Sequence, residues 1–146
     1  MGVEIDILLV EDNPNDVELT LHALRRHHPD LRVEVLRDGA EAIDRIFCTG
    51  EHADRNIHEH PKFILLDLKL PKVNGVEVLR QVKTDERTRG IPIVALTTST
   101  EASDIAESYQ LGVNSYIAKP VDFEEFSEAV RKIGDYWFEL NRSARL

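Results

Sequence analysis

Short apolar runs alternate with longer amphipathic segments along this chain. Five of these runs have the length of strands, and they lie at residues 5–10, 31–36, 63–66, 93–96 and 115–118. Most are almost continuously apolar, as in strands buried on both faces, whereas the run at 31–36 alternates apolar and charged residues like an edge strand. Between the runs, apolar residues recur every three or four positions, which is the spacing of a packed helix. The pattern predicts an α/β fold, with a mostly parallel sheet that carries helices on both faces.

Turn and capping residues predict where five helices begin and end. The predicted helices cover about residues 14–27, 39–47, 76–82, 101–111 and 122–141. The last helix carries an apolar stripe that steps by three or four residues: Phe123, Phe126, Val130, Ile133, Trp137 and Leu140. Tyr136 and Phe138 fall outside this stripe and should be exposed.

Exposed aromatic side chains on the last helix favour a protein interface. We therefore expect a homodimer through the face formed by the fourth helix, the fifth strand and the fifth helix. The alternative is that the end of this helix packs back against the amino end of the first strand.

Composition and charge narrow the class of protein. A chain of 146 residues with 42% hydrophobic and 31% charged residues is typical of a soluble globular protein. We expect one domain over residues 1–146, with its core at about 4–133. A formal net charge of -9 argues against nucleic acid and anionic membranes as partners. No signal-peptide pattern is present and no run approaches the ~20 apolar residues of a membrane span, so we expect a cytoplasmic protein.

Acidic residues follow two of the apolar runs directly. Glu11 and Asp12 come after the first run, and Asp67 follows the third. The carboxyl ends of parallel strands share one edge of a sheet, so the three carboxylates converge if the first and third strands are neighbours. Such a cluster repels itself unless a cation neutralises it, and oxygen-only ligands favour a hard ion such as Mg²⁺.

A hydroxyl and an ammonium group complete the same edge. Thr97 and Lys119 lie at the ends of the fourth and fifth runs, where they would face a group with extra negative charge. A phosphoryl group fits this environment, with Asp67 as the nucleophile that forms an acyl phosphate. Each residue alone has a simpler explanation, such as a helix cap for the acidic pair or a solvated surface lysine. Their joint occurrence at the ends of separate strands favours the functional interpretation.

At these positions the sequence resembles the response-regulator receiver domain of two-component signalling. The resemblance covers about residues 4–133 and rests on five motifs in order: Glu11-Asp12, Asp67 within Leu-Leu-Asp-Leu-Lys-Leu-Pro, Gly75, Thr97 after Ile-Val-Ala-Leu, and Lys119-Pro120. It implies a flavodoxin-like (βα)₅ three-layer sandwich with a parallel sheet of strand order 2-1-3-4-5. It also implies that a sensor histidine kinase phosphorylates Asp67. Because the sequence shows no helix-turn-helix or catalytic module, we expect the output to be a phosphorylation-dependent protein interface rather than DNA binding.

The resemblance also implies roles for individual residues. It places Mg²⁺ on the carboxylates and carbonyl of four residues: Asp12, Asp67, Lys69 through its backbone carbonyl, and Glu11 through water. Thr97 and Lys119 would bind the phosphoryl group. Tyr116 matches an aromatic switch position and would move inward when Thr97 is drawn to the phosphoryl group. The peptide bond before Pro120 is expected to be cis.

Three features narrow the resemblance. The polar segment 49–61 is longer than most receivers have before the third strand, the last helix is extended, and a hydroxyl run spans residues 97–99. Together they resemble the small stand-alone response regulators paired with phytochrome-type histidine kinases. Thr98 departs from the usual small residue, and Lys69 adds positive charge two residues after Asp67. We hypothesise that Thr98 and Lys69 tune dephosphorylation.

Several alternative functions remain open. The chain could be a phosphorelay intermediate, or a receiver-like interaction module that is not phosphorylated. An aspartyl-phosphate hydrolase of the haloacid dehalogenase type needs a second aspartate two residues after the nucleophile, where this chain has Lys69. A flavodoxin-like flavin carrier needs a phosphate loop, but the acidic loop at residues 11–16 would repel a flavin phosphate. We therefore expect a phosphoacceptor signalling protein, whose only catalysis is Mg²⁺-dependent autophosphorylation and autodephosphorylation.

Overall fold

The structure is a computed structural model that describes residues 4–142. Its strands are β1 (Ile7–Val10), β2 (Val33–Leu36), β3 (Phe63–Leu66), β4 (Ile93–Thr97) and β5 (Ser115–Ala118). Its α-helices are α1 (Pro14–His27), α2 (Gly39–Phe47), α3 (Gly75–Thr84), α4 (Ala102–Leu111) and α5 (Phe123–Asp135). A short 3₁₀ turn (Gly50–His52) follows α2, and a π-helical segment (Tyr136–Leu140) continues α5.

The five strands form one parallel sheet in the order β2-β1-β3-β4-β5. This confirms the predicted fold and strand order. It also confirms that the alternating run around Val33–Leu36 is an edge strand. Because β1 and β3 are adjacent and pair Val10 with Leu66, the residues that follow them lie side by side.

Both faces of the sheet are buried, which explains the nearly continuous apolar runs. Along β1, Ile7 and Leu9 pack into the core that α1 and α5 cover, whereas Leu8 and Val10 pack into the core on the side of α2 and α3. The other central strands alternate in the same way. The helices therefore cover the sheet from both sides.

The predicted apolar stripe of the last helix is correct in its middle and wrong at both ends. Phe126, Val130 and Ile133 are buried, but Phe123 and Leu140 are 58% and 70% exposed. Phe123 is the first residue of α5 and lies beyond the packed part of the helix. At the other end the hydrogen-bond pattern widens, and the amide of residue 141 donates to the carbonyl of residue 136. This π-helical turn shifts the phase of the side chains, so Leu140 faces solvent.

The same change of phase turns Phe138 towards the protein. Its ring lies 5.8 Å from that of Phe63 at the start of β3 and 5.6 Å from the ring of His28. The prediction that Phe138 is exposed is therefore wrong, whereas Tyr136 is 49% exposed as expected. The segment beyond α5 packs back against the amino end of a central strand, with Trp137 also stacked on Phe63 at 5.9 Å.

Some local expectations need correction. β1 begins at Ile7 and β2 at Val33, so each strand is two residues shorter than its apolar run. The expected cis bond before Pro120 is absent, since residues 4–142 contain no cis peptide bond; the intrinsic preference of X–Pro bonds is trans. None of the helices within these residues combines the length and the apolarity that a bilayer crossing requires.

Candidate functional site

The structure brings the predicted site residues together at the carboxyl edge of the sheet. Glu11 and Asp12 follow β1, Asp67 follows β3, and Lys119 follows β5. Thr97 is the last residue of β4, the strand between β3 and β5. Five side chains from four strand ends therefore lie at one place on this edge, which we call the pocket.

Three carboxylates form the acidic side of this pocket. Glu11, Asp12 and Asp67 each offer one oxygen, and these oxygens lie within 4.8 Å of one another. Glu11 and Asp67 are 4% and 8% exposed, while Asp12 is exposed to solvent. An open cluster of oxygen donors suits a hard divalent cation that keeps part of its water shell. The donor set therefore fits Mg²⁺ or Mn²⁺, and we call these three residues the acidic trio.

Lys119 neutralises part of the acidic trio. Its side chain is 6% exposed, and its Nζ lies 2.5 Å from Glu11 Oε1 and 3.1 Å from Asp67 Oδ2. A third carboxylate, Asp16 in the first turn of α1, accepts a hydrogen bond from the same Nζ at 2.9 Å. Asp16 was not predicted as a site residue, because an acidic residue in a first helical turn is already explained by the helix dipole.

The pKa values of two groups in the pocket are raised, one mainly by burial and the other by neighbouring charges. Burial raises the pKa of Glu11 to about 7; the hydrogen bond from Lys119 opposes this shift, and the charge of Asp67 adds to it. Burial alone would lower the pKa of Lys119, but its carboxylate partners outweigh burial and hold that pKa above its ordinary value. Lys119 is therefore a permanent cation in the pocket, whereas Glu11 changes its charge near neutral pH.

Asp67 is held in one orientation by contacts to both carboxylate oxygens. Oδ1 accepts the backbone N–H of Lys69 at 3.0 Å, and Oδ2 accepts Lys119. The loop behind Asp67 leaves no space for a side chain at Gly75, where an added Cβ would lie 2.3 Å from the carbonyl oxygen of Asp67. The Gly75 amide instead donates to the carbonyl of Leu68. This close approach explains the glycine in the motif.

Thr97 contributes a buried hydroxyl to the same pocket. The residue is fully buried, and its Oγ1 has no hydrogen-bond partner among the described residues. Its carbonyl accepts the backbone N–H of Lys119 at 2.7 Å, so the two residues are joined through their main chains. A buried hydroxyl without a partner is costly, and a ligand with an acceptor oxygen would satisfy it.

Tyr116 already lies inward in this structure. It is half-buried on β5, packs against the core on the α3 side, and donates from its hydroxyl to the carbonyl of Ser99 at 3.0 Å. The Ser99 hydroxyl in turn binds Asp104 at the start of α4. In this structure the ring already packs against the core, and the predicted coupling of its position to a movement of Thr97 stays a prediction.

The two residues expected to tune dephosphorylation border the site. Lys69 and Thr98 are both exposed. Lys69 lies two residues after Asp67, and Thr98 directly follows Thr97. The backbone N–H of Lys69 contacts Asp67, a bond that the sequence did not reveal. Its proposed role as a carbonyl ligand of a metal stays a prediction.

Comparison with known proteins gives a consistent family. The sequence matches the family model described as the response regulator receiver domain over residues 7–131. It is 46% identical to the probable methanogenesis regulatory protein FilR2 of Methanothrix harundinacea, over 94% of this chain and 86% of the relative. It is 38% identical to the response regulator Rcp1 of Synechocystis, over 91% of this chain and 88% of Rcp1.

Solved structures agree with the sequence match. The Mn(2+)-bound form of Rcp1 superposes with a TM-score of 0.89 at 36% identity, covering 95% of this chain and 98% of that one. The phosphorylated cyanobacterial phytochrome response regulator RcpA superposes with a TM-score of 0.90 at 37% identity, covering 98% and 100%. Both the fold and the length of this chain therefore match proteins that are themselves response regulators.

Proposed function

Because the chain belongs to the response regulator receiver family, we propose that Asp67 is its phosphoryl acceptor and that a sensor histidine kinase is the donor. The observation that carries this proposal is the setting of Asp67. Its carboxylate is nearly buried at the end of a central strand, oriented by Lys69 and Lys119, and grouped with two further carboxylates. Such a group is a poor structural choice unless it binds a cation and a reacting phosphate.

The proposed reaction is a phosphoryl transfer between a histidine and an aspartate. A carboxylate oxygen of Asp67 forms a bond to the phosphorus, and the bond between phosphorus and the imidazole nitrogen of the donor breaks. The electron pair of that bond stays on the imidazole, which takes up a proton from solvent. With acetyl phosphate as donor, a phosphorus–oxygen bond breaks instead and acetate leaves.

Side chains of this protein supply most of the charge that the reaction needs. Lys119 donates hydrogen bonds to a phosphoryl oxygen, and Thr97 offers a buried hydroxyl that has no partner within residues 4–142. We assign a divalent cation to the acidic trio and to the backbone carbonyl of Lys69, in line with the Mn(2+)-bound form of Rcp1. When bound, the cation neutralises charge on the phosphoryl oxygens.

We further propose that the signal leaves through the face of α4, β5 and α5. Thr97 is drawn towards the phosphoryl oxygens, and the loop after it carries the Ser99 carbonyl that holds Tyr116. Movement of this loop changes the position of α4 relative to β5, which shifts the population of two surface shapes. Because Tyr116 already lies inward, the loop rather than the ring is the moving part.

The same face is our candidate for a homodimer. Tyr109 on α4 and Tyr136 beyond α5 are 50% and 49% exposed. A groove of about 500 Å³ beside β5 is lined by Ile117, Ile133 and Trp137 among others. A Tyr136→Ser variant should lower the dimer fraction in light scattering at micromolar concentration; a wild type that stays monomeric in both phosphorylation states rules the dimer out.

A phytochrome-type kinase is the donor that we favour. RcpA, similar over 98% of this chain, is described as a phytochrome response regulator. FilR2 is described as a probable methanogenesis regulatory protein.

The decisive experiment is intact mass spectrometry after incubation with acetyl phosphate. Wild type should gain the mass of one phosphoryl group in the presence of Mg²⁺ and little without it, and Asp67→Asn should gain none. Asp30→Asn, which removes an exposed carboxylate elsewhere, is the matched control and should behave as wild type. If wild type gains no mass with any phosphodonor, or if Asp67→Asn gains as much, the proposed function is wrong. The decay of the same signal in Lys69→Ala and Thr98→Ala measures their effect on lifetime.

A further inference from the structure

Asp16 shares Lys119 with the acidic trio without being part of it. Its Oδ2 accepts a hydrogen bond from Lys119 Nζ at 2.9 Å across 103 positions of sequence. The trio whose oxygens lie within 4.8 Å of one another contains Glu11, Asp12 and Asp67 but not Asp16. Asp16 is thus placed to act on the lysine rather than on a metal ion.

The position of Asp16 is set by local structure. Asn13 caps α1, and its Oδ1 accepts the backbone N–H of Asp16 at 3.2 Å. Pro14 at the start of the helix further restricts the first turn. The Asp16 side chain is 24% exposed, so it is partly shielded from water on the pocket side. The backbone that carries this carboxylate is fixed in position, so the carboxylate can hold the flexible side chain of Lys119 by a hydrogen bond.

The hydrogen-bond capacity of Lys119 shows why it needs a partner that stays in place. An ammonium group has three protons, and here they face Glu11, Asp16 and Asp67. In the proposed reaction, Glu11 and Asp67 are needed to bind the cation and the phosphoryl group. Asp16 has no other side-chain hydrogen bond within residues 4–142 that would draw it away.

We propose that Asp16 is a positioning residue that retains Lys119 in the pocket while Glu11 and Asp67 turn to the cation and the phosphoryl group. This inference rests on the proposed function. Without Asp16, the ammonium divides itself between Glu11 and Asp67 and competes with the cation for them. Its long side chain is also less ordered when a phosphoryl oxygen must be met.

Two kinetic quantities, the saturating rate and the half-saturating concentration of the phosphodonor, should both fall. In Asp16→Asn, the saturating rate of phosphorylation by acetyl phosphate should fall about three- to tenfold, because Lys119 is less well placed. The half-saturating concentration of acetyl phosphate should fall as well, because one negative charge that repels the donor is gone. A lower saturating rate together with a lower half-saturating concentration would not result from general loss of structure.

The matched control is Glu18→Gln. Glu18 lies on the exposed side of α1 and loses the same charge without touching Lys119. Its saturating rate should equal that of wild type. Equal rate losses in Glu18→Gln and Asp16→Asn would overturn the proposal, because distance from the lysine would then be irrelevant.

A double-mutant cycle with Lys119→Met gives a readout that is independent of phosphorylation. Calorimetric titration with Mg²⁺ should show weaker binding for Asp16→Asn than for wild type. In the Lys119→Met background the same substitution should change Mg²⁺ affinity no more than Glu18→Gln does. If the effect of Asp16→Asn is unchanged there, Asp16 does not act through Lys119. Lys119→Gln, which also removes the charge, replaces Lys119→Met if the latter does not fold.

The cycle also separates this inference from the proposed function. If wild type takes up no phosphoryl group, the proposed function fails while the Mg²⁺ cycle still decides whether Asp16 and Lys119 are coupled. If wild type is phosphorylated and the cycle is additive, the proposed function stands and the role of Asp16 is overturned. Melting temperatures measured in parallel identify any variant whose losses follow unfolding.

Discussion

Two lysines, each with three hydrogen-bond acceptors, lie at opposite ends of the sheet. Lys119, at the carboxyl edge, donates to three carboxylates. Lys83 on α3 donates to the carbonyls of Arg89 and Ile91 and to the side-chain oxygen of Asn114, at the amino ends of β4 and β5. The number of partners is the same, but the charge of the partners is not.

This difference in charge separates a chemical site from a structural one. Burial lowers the pKa of Lys83 to about 8, because its acceptors are neutral dipoles that do not offset the loss of water. The carboxylates around Lys119 reverse that effect and hold its pKa above the ordinary value. Lys83 joins the loops that precede two strands, whereas Lys119 neutralises carboxylates that would otherwise repel one another. Because the carboxylates outnumber the single positive charge of Lys119, the site can still bind a cation and, with that cation, a phosphoryl group.

The largest effect is expected from replacing each lysine by methionine. Lys119→Met should slow phosphorylation on the order of 10- to 100-fold, since a donor to the transferring group is lost. It should also lower the metal-free free energy of unfolding by about 3–5 kcal/mol, because buried carboxylates lose their counter-ion. Lys83→Met should cost about 1–3 kcal/mol in unfolding free energy and leave the phosphorylation rate unchanged. Urea denaturation and intact mass spectrometry provide the two measurements.

Mg²⁺ provides the control for this pair. Because the cation replaces part of the missing positive charge, it should restore stability to Lys119→Met and do nothing specific for Lys83→Met. A Lys83→Met protein that loses phosphorylation as severely as Lys119→Met would contradict the division between the two ends.

The site was predictable from sequence wherever a residue directly follows or ends a strand. Glu11, Asp67, Thr97 and Lys119 could be brought together in advance because parallel strands place all their carboxyl ends at one edge. Asp16 could not, since its partner is 103 residues away and its own position at a helix start is sufficient explanation for an acidic residue. Contacts between a helix turn and a strand end depend on side-chain reach, which periodicity does not reveal.

Two further differences have local physical causes. The exposed and buried aromatic residues near the end of the chain were assigned on α-helical spacing, and a single wider turn moved Phe138 inward and Leu140 outward. The inward position of Tyr116 depends on a backbone carbonyl, that of Ser99, and main-chain acceptors leave no trace in the residue pattern. The fold needs only the average pattern, whereas these details depend on individual hydrogen bonds.

A smaller effect is expected from one glycine at each end of the sheet. A Cβ at Gly75 would lie 2.3 Å from the carbonyl oxygen of Asp67, whereas a Cβ at Gly90, between the two residues whose carbonyls bind Lys83, meets nothing within 4 Å. Gly75→Ala should therefore cost about 1–3 kcal/mol in unfolding free energy and weaken Mg²⁺ binding, because the backbone beside Asp67 must shift. Gly90→Ala should change neither quantity measurably. Equal Mg²⁺ affinities for the two variants in calorimetry would show that the backbone at Asp67 is not constrained.

The pH dependence of stability should also differ between the two ends. Burial raises the pKa of Glu11 from 4.5 to about 7, so the folded protein binds more protons than the unfolded chain between these values. The free energy of unfolding of the metal-free protein should therefore fall as pH rises from about 4.5 to 7. Glu11→Gln should remove this slope in urea denaturation series, and an unchanged slope would exclude Glu11 as its source.

The last effect is expected at Lys83 and has the opposite sign. Its pKa is lowered from 10.5 to about 8, so the unfolded chain binds more protons between these values and the free energy of unfolding should rise with pH across that window. Lys83→Met should flatten the rise, whereas Glu11→Gln should leave it intact. Urea midpoints at pH 8 and pH 10 for wild type and both variants measure the effect. If the rise persists in Lys83→Met, it originates from another group. The pH dependence of stability would then no longer support the contrast between Lys83, whose acceptors are neutral, and Lys119, whose acceptors are charged.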